Sequence, residues 1–296
     1  MGWKVYKLVY QAKSPIHIGW HTLGYIKLTR YYITGKNIWA AMTANITRAL
    51  YDYKDYGGIG DLLKEGILTS YFFPAVDTEH PLLPRFTDKG LMNGGKPEAE
   101  FERIFIKSYG QTAVLPHSNT AEDETLHESE YISPCVEIGG KQCQVYFVGY
   151  IFISDTAHYN DKKVDLEEIK QAISEIFVGG DRKYGWGRLL LDDGKKSEVT
   201  DSMVFGNTLY PDDNGLKIRI EKDSSIPAHL KVDSSVNLKG DIEPLVGREW
   251  GEVTGKDGQT RKGFGQRISE AKIYWMPGSI IEEGKPLKIG AYGILE

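Results

Sequence analysis

Three short stretches of the chain carry residue types that can do chemistry. The densest is VGGDRKYGWGRLLL, Val178 to Leu191, with four glycines among two arginines, a lysine, a tyrosine and a tryptophan. Gly180, Gly185 and Gly187 permit backbone conformations that bring N–H groups close to an anion. Arg182, Lys183 and Arg188 add positive charge. Tyr184 and Trp186 offer faces on which bases stack. The stretch is not a P-loop, because Tyr184 stands before Gly185 and Trp186 after it. It is not the dinucleotide fingerprint either, because it follows a helical pattern rather than a strand. An ordinary helix-to-strand turn fits the same spacing equally well.

The second stretch is GREWGEVTGKDGQTRKGFGQR, Gly247 to Arg267, with five Arg/Lys, three acids and six glycines. It reads as a mobile basic loop that orders on binding, with Arg248, Arg261, Lys262 and Arg267 as contacts; a flexible surface loop fits as well. The third is SPIHIGWH. His17 and His21 are four apart, the spacing of two helical metal ligands, but Pro15 and Gly19 oppose a helix and no third ligand is evident. A structural or RNA-contacting histidine near a strand end is the better reading, with Gly19 and Trp20 beside it. No metal and no cofactor are expected. Tyr25, Lys27, Arg30, Tyr31, Tyr32 and Lys36 then interleave basic and aromatic residues, as single-strand binders do; a partly exposed strand face fits them too.

Seven histidines could in principle run a metal-free RNA cleavage, but no pair is marked by position. GxSxG, HExxH and CxxC are absent. Glu122, Asp123 and Glu124 are adjacent and cannot all face one site, so they read as a solvated face.

The elements that must position these residues come from the rest of the pattern. The chain has 296 residues, 41% hydrophobic and 26% charged, and suits one large or two ordinary globular domains. Two cysteines exclude a disulfide framework and fit a reduced, cytoplasmic setting. No apolar run is long enough for a membrane span. A net charge of −5 opposes a generic nucleic-acid coat protein but leaves room for a local basic groove.

Trp3 to Tyr10 reads as a strand. Ile38, Met42, Ile46, Leu50 and Tyr53 follow helical spacing, and the helix is expected to stop near Tyr56 to Gly60. Ile67 to Val76, Phe101 to Tyr109 and Cys143 to Ile153 read as strands, and His80 to Glu100 as loop. A second helix has Asp165 as N-cap, Glu168 in a capping box and Gly179 at C′. The order suits a βαββαβ ferredoxin-like unit over residues 1–195. Residues 196–215 read as a linker. Residues 216–296 form a smaller β-rich second domain, with Ala271 to Ile281 and Leu287 to Leu295 among its strands.

Four of these segments, in order, resemble the RAMP superfamily of CRISPR effector subunits. SPIHIGW resembles its Ser-Pro-x-His-x-Gly. TAVLPHSNTAEDETLHESEYISP, Thr112 to Pro134, is similar to the segment that forms a projecting hairpin. VGGDRKYGWGRL is similar to the glycine-rich loop after the second helix. KIYWMPGSII resembles the strand of subunits that cap the crRNA 5′ handle. The resemblance spans most of the chain. It implies an α+β fold of two ferredoxin-like (RRM-like) domains. It also implies a non-catalytic subunit of a type III complex, most like the III-D foot subunit, gripping the handle through the glycine-rich loop. Implied contacts include His117, Asn119 and Thr120 of the hairpin segment. Implied partners are crRNA, a large polymerase-like subunit and backbone RAMP subunits, with target RNA open as a further one. A crRNA backbone subunit and a metal-independent processing endoribonuclease using His17 or His21 are the alternatives. Where relatives read Thr-Ala-Ile-Asp-Arg, this chain has Leu115 and Pro116, which puts a target-cleaving role in doubt.

Overall fold

The computed structural model describes residues 2–50, 54–122, 125–213, 215–232 and 235–296; the side chains of Lys262, Phe264 and Gln266 lie outside the description. Tyr53, Asp123 and Glu124 of the sequence reading therefore also lie outside it.

Strand Trp3–Ala12 pairs antiparallel with Tyr146–Ser154, from Trp3 opposite Ser154 to Gln11 opposite Tyr146. Arg188–Leu191 joins its other side, and Ile67–Thr69 joins the far side of Tyr146–Ser154. Read across the sheet, the four principal strands stand in the order fourth, first, third, second. Helix α1 (Gly35–Leu50) follows the first strand, and α4 (Leu166–Ile173) precedes the fourth. This is the βαββαβ arrangement expected of the first half.

Both faces of the sheet are buried. Leu8, Tyr10, Phe147 and Ile151 pack with Ile38, Met42 and Ile46 of α1 and Ile169 and Ile173 of α4. On the opposite face Val5, Leu68, Phe73 and Phe152 pack with Leu209, Leu216, Ile218, Ile226 and Leu287 from the second half. A strand covered on both sides needs apolar residues at successive positions, which is why YFVGYIFI lacks alternation. The two halves thus share a core rather than each closing its own.

Residues 196–215, read as a linker, are largely strand. Ser197–Glu198 pairs with Trp3–Ala12. Met203–Val204 and Asn207–Asp212 enter a sheet with Gly215–Ile220 and Lys285–Lys288. Among the described residues no α-helix follows α4, so the second half does not present the βαββαβ order. Its apolar residues alternate over short runs interrupted by glycine and proline, a pattern that sustains strands and no helical stripe.

Other elements also differ from the sequence reading. Residues near Tyr56 do not end a helix; they begin α2 (Tyr56–Glu65), whose Gly58 N–H is capped by Asp55 at 2.9 Å. The stretch read as loop from His80 holds the strands Pro84–Thr87, Gly90–Asn93 and Lys96–Pro97. FERIF belongs to helix α3 (Glu98–Phe105), with Phe101 and Phe105 buried four apart; strand Ile106–Gln111 starts only after it. Ile67 to Val76 breaks into Ile67–Thr69 and Phe73–Ala75, both paired to Tyr146–Ser154. No helix among the described residues is long and apolar enough to cross a membrane.

Candidate nucleic-acid interface

The glycine-rich loop does not leave a helix. Helix α4 ends at Ile173, and a short strand, Glu175–Phe177, intervenes and pairs with Arg188–Leu191. The segment is therefore a strand-to-strand loop, and Gly179 is not a helix cap. At its tip Arg182–Tyr184 form one 3-10 turn, entered by Asp181 at φ 53° and left by Gly185 at φ 84°.

The loop is held against SPIHIGW. The N–H of Gly180 donates to the His17 carbonyl at 2.9 Å, and that of Gly187 to the Pro15 carbonyl at 2.8 Å. The N–H of Arg188 donates to Ser14 Oγ at 2.9 Å. A Cβ on Gly180 would stand 2.9 Å from His17 Cδ2, and one on Gly187 would overlap the Val178 carbonyl oxygen. These glycines are required because backbone meets backbone and ring at contact distance. The expected anion cradle is corrected by the same geometry. The N–H groups of Gly180 and Gly187 are engaged by SPIHIGW, and that of Gly185 by the Arg182 carbonyl.

What the loop offers outward is side chains. Arg182 and Lys183 are exposed, and the Tyr184 ring is 72% exposed. Arg188 is exposed but ion-paired to Glu175, so part of its charge is already neutralised. Trp186 is only 8% exposed and packs edge-on to Tyr131 at 5.0 Å and to Tyr109 at 6.4 Å between ring centroids. It anchors the loop and offers no free face. Tyr109 and Tyr131 come from the pair Ile106–Gln111 and His127–Ile132, whose register puts both on one face of a sheet with Gly19–Leu23 and Ile26–Thr29. Tyr109 is 58% exposed and stands beside the loop.

The histidines separate. His17 is buried, and its Nδ1 lies 2.7 Å from the Glu130 carbonyl. A carbonyl only accepts, so Nδ1 carries the proton. His21 is exposed, with its ring 4.6 Å from that of Trp20. Gly19 opens the strand that carries both. Among the described residues no three His, Cys, Asp or Glu side chains converge on a metal position.

Trp20 reaches the other half of the chain. Its Nε1–H donates to Glu243 Oε2 at 2.9 Å. Glu243 is 3% exposed and also accepts from Arg30 Nη1 and, at 2.5 Å, from His229 Nε2. Tyr71 Oη lies 2.7 Å from His229 Nδ1. Burial pushes the His229 imidazole down despite Glu243, so it is neutral: Nε2–H donates to Glu243 and Nδ1 accepts from Tyr71. Burial pushes the Glu243 carboxyl up, but His229 and Arg30 outweigh it and hold it below the ordinary carboxylate range. This buried network ties the SPIHIGW segment to the second half.

The stretch Gly247 to Arg267 is a β-hairpin. Arg248–Thr254 pairs with Thr260–Ile268, from Arg248 opposite Ile268 to Thr254 opposite Thr260. Cross-strand pairing engages the backbone that a mobile loop would leave to solvent. Lys36 at the start of α1 meets Glu249 at 2.6 Å, and the Trp250 ring lies 5.2 Å from that of Tyr56. Burial and Tyr292 push the Tyr56 phenol up to about 12, while Arg182 pulls it the other way. Both basic segments therefore neighbour the start of α2. Arg248 donates to the Gly265 carbonyl at 3.2 Å, Arg261 is paired with Asp257 at 2.8 Å, and Arg267 is exposed. Lys262 has no described side chain. His117, Asn119 and Thr120 are exposed in a tight turn beyond the Gln111–His127 end of the sheet, with Asn119 at φ 55°.

No protein-family model matches the chain, and no curated protein matches it. Solved structures do. One similar chain is in the cryo-EM structure of the type III-B Cmr-beta bound to cognate target RNA: 10% identity, TM-score 0.40, covering 63% of this chain and 96% of that one. Another is in the type III-B Cmr-beta bound to cognate target RNA and AMPPnP: 11% identity, TM-score 0.48, covering 94% and 86%. A third is oligomeric Cmr4 from Pyrococcus furiosus: 14% identity, TM-score 0.31, covering 67% and 100%. At these scores each is a structure the chain is similar to, and none says what this chain binds.

Tyr109, Tyr131, His229 and Glu243 were not among the site residues read from sequence, and Arg30, read there as a strand-binding cation, is instead taken up by Glu243. HESEYI alternates and could have marked Tyr131 as facing one side. Glu243 carries no such signal; a single acid in a strand is indistinguishable from a surface residue until the fold buries it.

Proposed function

We propose that this chain is a non-catalytic RNA-binding subunit of a type III CRISPR ribonucleoprotein, acting in antiviral defence, and that it grips the crRNA 5′ handle. One observation supports this reading above the others. SPIHIGW and the glycine-rich loop, far apart in sequence, are bonded into one surface from which Arg182, Lys183 and Tyr184 project. Two exposed cations and an exposed ring beside each other suit a single strand, with phosphate on the cations and a base on the ring. The handle and the foot position are read from the four segments that, in order, resemble the RAMP superfamily. The large polymerase-like subunit and the backbone subunits are the partners this position brings.

The test is native purification of the assembled complex, followed by sequencing of its RNA. A uniform repeat-derived 5′ end is expected. In the complex carrying Arg182→Ala and Lys183→Ala, RNA content should fall. Unchanged RNA content in that variant would sink the proposal. Metal-free cutting of repeat RNA, lost on His17→Ala or His21→Ala, would replace it with the endoribonuclease reading.

A further inference from the structure

The glycine-rich loop stands against one face of a sheet, and that face carries its own exposed ring and cations. Strands Ile106–Gln111, His127–Ile132 and Ile26–Thr29 lie side by side in the sheet. Their registers set Tyr109 opposite Ser129, and Ser129 opposite Lys27. Residues level with one another across paired strands share a face, and the face alternates along each strand. Lys107 and Tyr109 therefore share one face with Tyr131 and Lys27. The loop reaches this face through Trp186, which packs edge-on to both Tyr109 and Tyr131.

Accessibility is the first feature that makes this face a receiver. Tyr109 is 58% exposed, and Tyr184, two residues before Trp186 in the loop, is 72% exposed. Nothing has to open for a flat ring to lie on either one.

The sign of the charge is the second. HESEYI alternates, so Glu128 and Glu130 turn to the opposite face, and Glu130 Oε2 accepts the N–H of Thr29 at 3.1 Å. Lys107 is exposed, and its Nζ donates only to a neutral group, the Arg103 carbonyl, at 3.1 Å. Lys27 is half-buried. Among the described residues neither lysine is ion-paired, and neither are Arg182 and Lys183 of the loop. Asp181 is the one acid of the loop. Cations beside exposed rings fit a single nucleic-acid strand, which brings a phosphate and a flat base in every unit. An acidic peptide meets the same cations but brings no flat group to the tyrosines.

We propose that this sheet face continues the RNA surface of the glycine-rich loop: Tyr109 stacks a second base, beside the one on Tyr184, and Lys107 takes a phosphate next to it. The inference rests on the RNA-binding reading above and adds to it a stacking residue and a path; it does not depend on the sequence of the RNA.

The experiment uses the full chain and a fluorescein-labelled, mixed-sequence single-stranded RNA read by anisotropy. Tyr109→Ile keeps a strand-forming residue and removes the ring. It should weaken binding about tenfold, the value of one stacked base, and leave the slope of log K against log salt unchanged. Tyr109→Phe should bind as the native chain does, because the ring and not the hydroxyl is used. Lys107→Ala should lower the slope by about 0.7. Abasic residues are then placed one at a time along the RNA. At one position the native chain should already show the tenfold loss, and Tyr109→Ile should add nothing to it. Tyr109→Ile also removes a contact to Trp186, so a second arm needs no variant: 4-thiouridine placed at the same positions and irradiated should give an adduct on Tyr109 of the native chain. RNA that binds, and is weakened by Arg182→Ala with Lys183→Ala, but is indifferent to Tyr109→Ile and Lys107→Ala and crosslinks elsewhere, overturns this inference alone. RNA that does not bind at all overturns the proposed function and this inference together. A poly-glutamate peptide that binds and is lost in Tyr109→Ile, with RNA binding unaffected, replaces RNA on this face with an acidic protein segment.

Discussion

The backbone carbonyl of His17 accepts the N–H of Gly180 at 2.9 Å, and a Cβ added to Gly180 would press the His17 ring at 2.9 Å. Two segments that look independent in sequence are one structural unit. The glycines in it differ in what they do, and their alanine variants should rank accordingly. Gly187→Ala meets a backbone carbonyl at φ 84° and should be the most destabilising. Gly180→Ala presses a buried ring and should cost about 1–3 kcal/mol. Gly185→Ala has open space at φ 84° and should cost only the left-handed penalty of about 1–2 kcal/mol. Urea unfolding of the three variants checks the order.

Arg182 and Lys183 touch the fold little and project from it. Replacing both by alanine should leave the thermal midpoint within about 1 °C and weaken single-stranded RNA binding. Each phosphate contact removed should lower the slope of log K against log salt by about 0.7. Binding measured at several salt concentrations checks this. Arg188→Ala should change the slope less, because Glu175 already holds that guanidinium.

Glu243 holds Arg30, Trp20 and His229 together at the junction of the halves. Glu243→Ala leaves the Arg30 charge buried without a partner and should cost about 3–5 kcal/mol. Glu243→Ala combined with Arg30→Met should be milder than the sum of the two single changes. A double-mutant cycle by denaturant unfolding checks the coupling.

The same residue sets an acid limit. Its folded-state pKa is depressed from the ordinary 4.5 to about 2, so the unfolded chain takes up a proton at higher pH than the folded one. Stability from this group is present above 4.5 and falls away as pH drops from 4.5 toward about 2. His229 acts in the same direction at higher pH. Buried and neutral, with its pKa below 6.5, it makes protonation favour unfolding as pH falls below 6.5. Thermal midpoints across pH 3–7 should fall less steeply in Glu243→Gln than in the native chain between pH 4.5 and 3.

Asp165 accepts the N–H of Glu168 at 3.1 Å and caps α4. Asp165→Ala should cost about 1 kcal/mol. Because α4 packs against the sheet that carries the loop, the loss should appear in global unfolding, with RNA binding unchanged where the protein is folded. Asp165→Asn should restore most of it.

Local order was legible from the amino acids alone. The cap at Asp165, the stripe of α1 and a strand within Cys143 to Ile153 are dictated by periodicity and by groups within a few residues of one another, although Cys143 itself falls in the separate strand Lys141–Gln144. The βαββαβ order of the first half follows from those elements in succession. FERIF read as strand because Phe101, Ile104 and Phe105 suit either period; Pro97 and the acids before them, in the first helical turn, settle it as helix. Gly247 to Arg267 read as loop because cross-strand pairing has no signature in so glycine-rich a stretch. What no local pattern contains is the meeting of distant parts. That Gly180 and Gly187 bond to SPIHIGW, that Trp186 seats on Tyr109 and Tyr131, and that Glu243 joins Arg30, Trp20 and His229 were decided only by the tertiary fold. The physical reason is burial. A lone Glu, a Trp or a glycine N–H has water as its partner in an open chain, and only a closed core removes that water and makes one particular partner necessary.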